Sequence, residues 1–105
     1  MTGDRVEALS RMLEANPDDP RARFGLALEL ERQERWEEAA DHLRKYLQST
    51  DDEGNAYGRL GHVLRELGRE EEARVAYRDG IAAAHRHGHP TMAAEFEEIL
   101  EDWDD

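Results

Sequence analysis

Residues 20–53 lie over residues 54–87 at an offset of 34 without a gap, and this internal repeat constrains the fold more than any other feature of the chain. Ala22, Leu26, Leu30, Arg35, Glu37, Glu38, Ala39 and Arg44 meet Ala56, Leu60, Leu64, Arg69, Glu71, Glu72, Ala73 and Arg78. Where identity changes, character is kept: Ala27 meets Gly61, Leu43 meets Tyr77 and Leu47 meets Ile81. The matches fall at helical spacings. A unit this short cannot bury an apolar face alone, so neighbouring units must stack.

Each unit reads as two helices. In the first, Asp19 is placed to cap the helix start, with Pro20 at the first helical position, where its missing N–H costs nothing. Ala22, Leu26, Ala27 and Leu30 form one stripe. The turn Gln33-Glu34-Arg35 leads to a second stripe of Trp36, Ala39, Ala40, Leu43, Tyr46 and Leu47. The second unit repeats this with Tyr57, Leu60, Gly61 and Leu64, a turn at Gly68, then Ala73, Ala76, Tyr77, Gly80 and Ile81. Small residues at positions 27, 61, 39 and 73 let paired helices approach closely. Ala22 and Ala56 are expected nearer the unit boundary, where change is better tolerated.

Tyr57, Leu60-Gly61, Leu64, Gly68, Ala73 and Tyr77 resemble the tetratricopeptide-repeat pattern, and its 34-residue period is the one observed. The first unit is looser. Arg23 stands at the early aromatic position, Glu34 replaces the turn glycine, and Tyr46 sits where a small residue is usual. The late proline is replaced by Asp51 and His85, although Pro17 supplies it for the preceding segment. The resemblance covers about two repeats and implies an all-α fold, a right-handed α-α superhelix of about six antiparallel helices.

The flanks complete that count within a single domain of 1–105. Residues 1–17 read as a leading helix, with Val6, Leu9, Met12 and Leu13 on its apolar face and Asp4 and Glu7 at capping-box spacing. Arg5 falls where the repeats carry Ala39 and Ala73, a place suited to a polar residue only if nothing packs there. Gly88 is expected to stop the helix of the second unit, with His85, Arg86 and His87 in its last turn. Residues 90–105 form a closing helix carrying Met92, Phe96, Ile99, Leu100 and Trp103 on one face. Residues 88–105 hold seven acids and no Lys or Arg, which suits the polar outer face that a terminal element requires.

Composition narrows function by exclusion. A net charge of −12 opposes binding to phosphate backbones and anionic lipid, so neither nucleic acid nor membrane is an expected partner. Lys45 is the only lysine beside thirteen arginines. Without cysteine there is no disulfide, thiolate metal site or Cys nucleophile. The opening residues lack a signal peptide's basic and apolar regions, and a cytoplasmic address is expected.

No catalytic constellation emerges. Asp18-Asp19, Asp51-Asp52 and Glu97-Glu98 fall at helix starts or on solvated faces, and Ser10, Ser49 and Thr50 lack a paired base. The chain is expected not to be an enzyme, and neither cofactor nor metal is expected. His85, His87 and His89 alternate, but a helix-terminus role accounts for two of them. Trp36 reads as core, and Trp103 as the end of the last apolar stripe.

Recognition remains. In the family, first helices of successive repeats line a concave groove that takes a peptide or helix. By position the resemblance places Arg21, Phe24, Leu28, Asn55, Gly58, His62 and Arg65 there, with Gly58 leaving space for an apolar side chain of a ligand. The Lys and Asn clamp used by the family's chaperone-tail binders is not matched, since only Asn55 resembles it. The chain is therefore expected to be a protein–protein interaction module binding a partner polypeptide. The alternative is a self-assembling module, forming a homodimer through the concave face or an open end.

Overall fold

The structure is a computed structural model that describes residues 2–103, with side chains from Arg5 to Trp103. Six helices follow in order: α1 (Thr2–Ala15), α2 (Pro20–Arg32), α3 (Trp36–Ser49), α4 (Asn55–Glu66), α5 (Glu70–Arg86) and α6 (Pro90–Trp103). No strand occurs among the described residues. The helices gather into two compact units, Met1–Thr50 with α1 to α3 and Asp51–Asp105 with α4 to α6.

Three of the connections are the same turn. Arg35 N–H donates to Leu30 O (2.9 Å), Arg69 N–H to Leu64 O (2.9 Å) and His89 N–H to Ala84 O (2.7 Å). In each case the residue before the donor has positive φ: Glu34 at 57°, Gly68 at 77° and Gly88 at 76°. This left-handed residue stops one helix and reverses the chain into the next. Glu34 occupies a conformation that a side chain disfavours, so the geometry is imposed by packing of α2 on α3.

The linker between α3 and α4 works differently. Asp52 is buried, and its Oδ2 accepts from the backbone N–H groups of Gly54 and Ala56, both at 2.9 Å. Gly54 turns the chain at φ 130°, where a Cβ would stand 2.7 Å from Met92 Sδ. At α2, Asp19 Oδ1 accepts from Arg21 N–H (3.1 Å) and Ala22 N–H (3.2 Å), with Pro20 opening the helix. α3 and α5 carry Glu37-Glu38 and Glu70-Glu71-Glu72 in their first turns, which suit the positive end of the helix dipole.

Alanine supplies half of the first core and just over half of the second. In the first unit Ala22, Leu26, Ala27, Leu30, Ala39, Ala40 and Leu43 are buried, with Leu13 from α1. In the second they are Ala56, Leu60, Val63, Leu64, Ala73, Ala76, Tyr77, Ala83, Ala84, Ala93 and Phe96. Gly61 shows how close the approach is, since a Cβ there would lie 2.7 Å from the Tyr77 ring.

Several expectations need correction. Ala22 and Ala56 are 1% and 0% exposed, as deeply set as Ala39 and Ala73, because both lie where the two helices of a hairpin meet. Met12 is 49% exposed and falls off the packed face of α1. Trp36 is only half-buried. The leading helix begins at Thr2, so Asp4 lies inside it; the Asp4 side chain of the expected capping box is outside the described residues, as are Asp104 and Asp105. Arg5 has a partner after all: its Nε stands 3.3 Å from Oε2 of the buried Glu29, which also meets Arg32 Nη2 at 3.2 Å.

Candidate functional site

The expected groove residues divide between the two units. On α2, Arg21 is exposed, while Phe24 and Leu28 are half-buried and lie one turn apart on a face away from Leu26, Ala27 and Leu30. The Phe24 ring leans on Tyr46 of α3, with centroids 5.0 Å apart. On α4, Asn55 is half-buried in the first turn, and His62 and Arg65 are exposed.

Gly58 does not offer an open space. A Cβ there would be 2.6 Å from Cζ of Phe96, so the chain's own α6 fills the place reserved for a ligand side chain. The same ring lies 2.9 Å from a Cβ built on Gly80. Positions 58 and 80 are the repeat equivalents of Phe24 and Tyr46, each 34 residues on. One repeat thus fills the gap between its helices with two rings of its own, and the other uses two glycines and a ring from α6. The sequence shows the substitution pattern but not the supplier of the missing volume.

Arg65 is engaged by the same helix. Its guanidinium carbon stands 3.8 Å from the Trp103 ring centroid, and that of Arg74 stands 5.2 Å away. Tyr77 meets both aromatic residues of α6 edge-on, at 5.6 Å from Phe96 and 5.9 Å from Trp103. Trp103 Nε1 is buried without an acceptor among the described residues, and its cost is set against these ring and cation contacts.

The three histidines go separate ways. His85 Nε2 faces Glu97 Oε1 of α6 at 3.7 Å, and His87 Nε2 lies 3.2 Å from Asp51 Oδ2, although poorly aligned for a hydrogen bond. His89 lines a shallow cavity with Pro90, Met92 and Glu95. Among the described residues, no group of three or more His, Cys, Asp or Glu could hold a metal ion. The His87 imidazole and the Arg86 guanidinium beside Asp51 hold its carboxyl below the usual carboxylate range.

His42 was not anticipated as a site residue. Its Nδ1 accepts from Arg23 Nη1 at 3.1 Å, while Arg23 Nη2 donates to Pro17 O at 2.9 Å. Burial, then the charges of Arg23 and Lys45, push its pKa below the ordinary imidazole value. Because a guanidinium can only donate, Nδ1 takes this hydrogen bond through its lone pair, and the neutral ring that makes it carries its proton on Nε2. With Ser10, Leu13, Glu14, Arg23 and Leu26 it lines a cavity of about 250 Å³. Arg23 reaches this place only because it replaces the repeat's early aromatic, a departure visible in the sequence.

A tetratricopeptide-repeat family model matches residues 1–84. The chain belongs to that family. Among solved structures, the crystal structure of MamA matches with a TM-score of 0.74 over 98% of this chain and 69% of that one, at 19% sequence identity. A likeness at that identity supports the all-α helical-repeat fold. No curated protein matches the chain by sequence. The tetratricopeptide fold serves generally as a protein–protein interaction module. No helix among the described residues is long and apolar enough to cross a membrane.

Proposed function

We propose that the chain is a polypeptide-recognition module whose principal contact surface is the face of α2 that carries Arg21, Phe24 and Leu28, the concave face by position in the repeat. The observation that carries this reading is the half-exposure of Phe24 and Leu28. The repeat's apolar stripe is already satisfied by Ala22, Leu26, Ala27 and Leu30, yet two further large apolar side chains share a second face of the same helix. A ring fixed against Tyr46 is a pre-ordered anchor that loses little side-chain entropy when a partner covers it. Arg21, one turn before Phe24, favours a partner with an acidic group beside its apolar anchor. In the second unit Asn55 and His62 form a further contact surface on α4, while Gly58 and Arg65 serve α6. No catalytic step is part of this reading.

The test is to select binders from a displayed peptide library with the intact chain, then challenge them with Phe24→Ala combined with Leu28→Ala. Loss of binding with nearly unchanged thermal stability supports the surface. A fall in stability of about 3–5 kcal/mol, typical of truncating a buried aromatic, would assign both residues to the core instead.

A further inference from the structure

We infer that the cavity between α1, α2 and α3 is a second recognition site, one that takes the neutral phenol ring of a tyrosine side chain from a partner polypeptide. It is separate from the surface of Phe24 and Leu28, and neither site depends on the other.

The cavity, of about 250 Å³, lies wholly within the first unit. Ser10, Leu13 and Glu14 share one face of α1, Arg23 and Leu26 share one face of α2, and His42 comes from α3. Leu13 and Leu26 are buried and give an apolar floor. Ser10 and His42 are half-buried, and the exposed Glu14 marks the open side. The space accompanies a substitution: Arg23 and His42 stand where the second unit has Tyr57 and Ala76. The Arg23 guanidinium is held in place by donating from Nη1 to His42 Nδ1 (3.1 Å) and from Nη2 to Pro17 O (2.9 Å). The first unit therefore lacks the ring that the family carries at this position, and keeps a cavity beside it.

The walls select a ligand by charge and by shape. An anion would face Glu14 and the general negative field, and a cation would face Arg23, so a neutral group is favoured. The planar guanidinium and imidazole suit the face of an aromatic ring. With Nδ1 engaged by Arg23, Nε2–H is the donor that His42 has left, while Ser10 Oγ and the Glu14 carboxylate can accept. A phenol hydroxyl answers both kinds of group at once, because it accepts and donates. An apolar cavity of roughly 150 Å³ holds a benzene ring. The larger volume here has room for the ring and its hydroxyl.

Two measurements test this. The methyl resonances of Leu13 and Leu26 are followed by NMR while the intact chain is titrated with p-cresol and, separately, with toluene. p-Cresol should shift them saturably, and toluene should bind roughly ten-fold more weakly for want of the hydroxyl. His42→Gln keeps an acceptor for Arg23 and a donor for the ligand, so it should retain this preference, and His42→Leu should lose it. Ser10→Phe places a ring of the chain's own in the cavity and should abolish both responses. No saturable shift, equal binding of the two probes, or an unchanged response in Ser10→Phe overturns the site. The second measurement selects displayed peptides on the wild-type chain and counter-selects them on Ser10→Phe, or on His42→Leu if the first variant fails to fold. Peptides that the variant loses should carry tyrosine in preference to phenylalanine. Equal enrichment of the two residues, or p-cresol bound with no tyrosine peptide recovered, overturns the assignment to a partner's side chain.

Discussion

The Phe96 ring stands where a side chain at Gly58 would begin, with its Cζ 2.6 Å from the position of a Cβ. Gly58→Ala must therefore move the ring or α6. The expected cost is about 1–3 kcal/mol, as for other overpacked sites. Gly80→Ala should fall in the same range, because its Cβ would meet Phe96 at 2.9 Å and Tyr57 Cβ at 3.0 Å. Gly68→Ala is the control: nothing crowds its Cβ, and only the positive φ is penalised, by roughly 1–2 kcal/mol. Urea denaturation of the three variants checks the comparison, and relief of the first two by Phe96→Ala would tie their cost to the ring.

Leucine at position 22, 39, 56 or 73 should destabilise by a similar amount, about 1–3 kcal/mol in each case. All four alanines are at most 1% exposed and sit at helix contacts, so no member of the set is expected to be spared. Thermal melts that separate 22 and 56 from 39 and 73 would contradict this packing.

Six helices, their order and the turn positions at Gly68 and Gly88 were legible because period and punctuation are local properties of a sequence. Burial of Glu29 and Asp52 was not. An acid reads as solvated until a partner is brought to it, and Arg5 reaches Glu29 of α2 from the neighbouring α1, while Asp52 accepts from the backbone of the linker it caps. Glu34 concealed its left-handed conformation because hairpin packing, and not local preference, sets it. In the site, the separate face of Phe24 and Leu28 followed from spacing alone. The fate of Gly58 did not, because the ring beside it comes from 38 residues further along the chain.

Asp52→Ala should cost about 0.5–2 kcal/mol, since it removes the acceptor for two backbone N–H groups at the start of α4. Hydrogen exchange would locate the effect, with Gly54 and Ala56 losing protection before the middle of α4.

Acidification should weaken the fold through His42. Its folded pKa lies below the ordinary value of 6.5, so the unfolded chain takes up the proton first. The contribution is complete above 6.5 and is lost as pH falls from there towards the folded pKa. Asp51 acts in a lower window. Its depressed folded pKa gives a contribution that is present above 3.8 and lost as pH falls below that value. Urea midpoints of wild type and His42→Gln between pH 7.5 and 5 should converge as pH falls, and parallel curves would contradict the assignment.

Glu34→Gly should stabilise the chain by up to about 1 kcal/mol, because glycine adopts φ 57° without the steric penalty that Glu34 bears. The gain should appear in the unfolding midpoint alone, with helix content unchanged by circular dichroism.

Positions 58, 80 and 96 share one volume, and the first repeat fills the matching volume with Phe24 and Tyr46. Selection can therefore see these three residues only as a set. A lineage that gained rings at 58 and 80 would make Phe96 an obstruction, and a lineage that lost Phe96 would need those rings to avoid a void. In relatives of this chain the three positions should covary: paired aromatics with a small residue at 96, or paired glycines with an aromatic there. The first combination would leave a hairpin that is complete without α6, free to pack a further repeat unit in the place that α6 takes here.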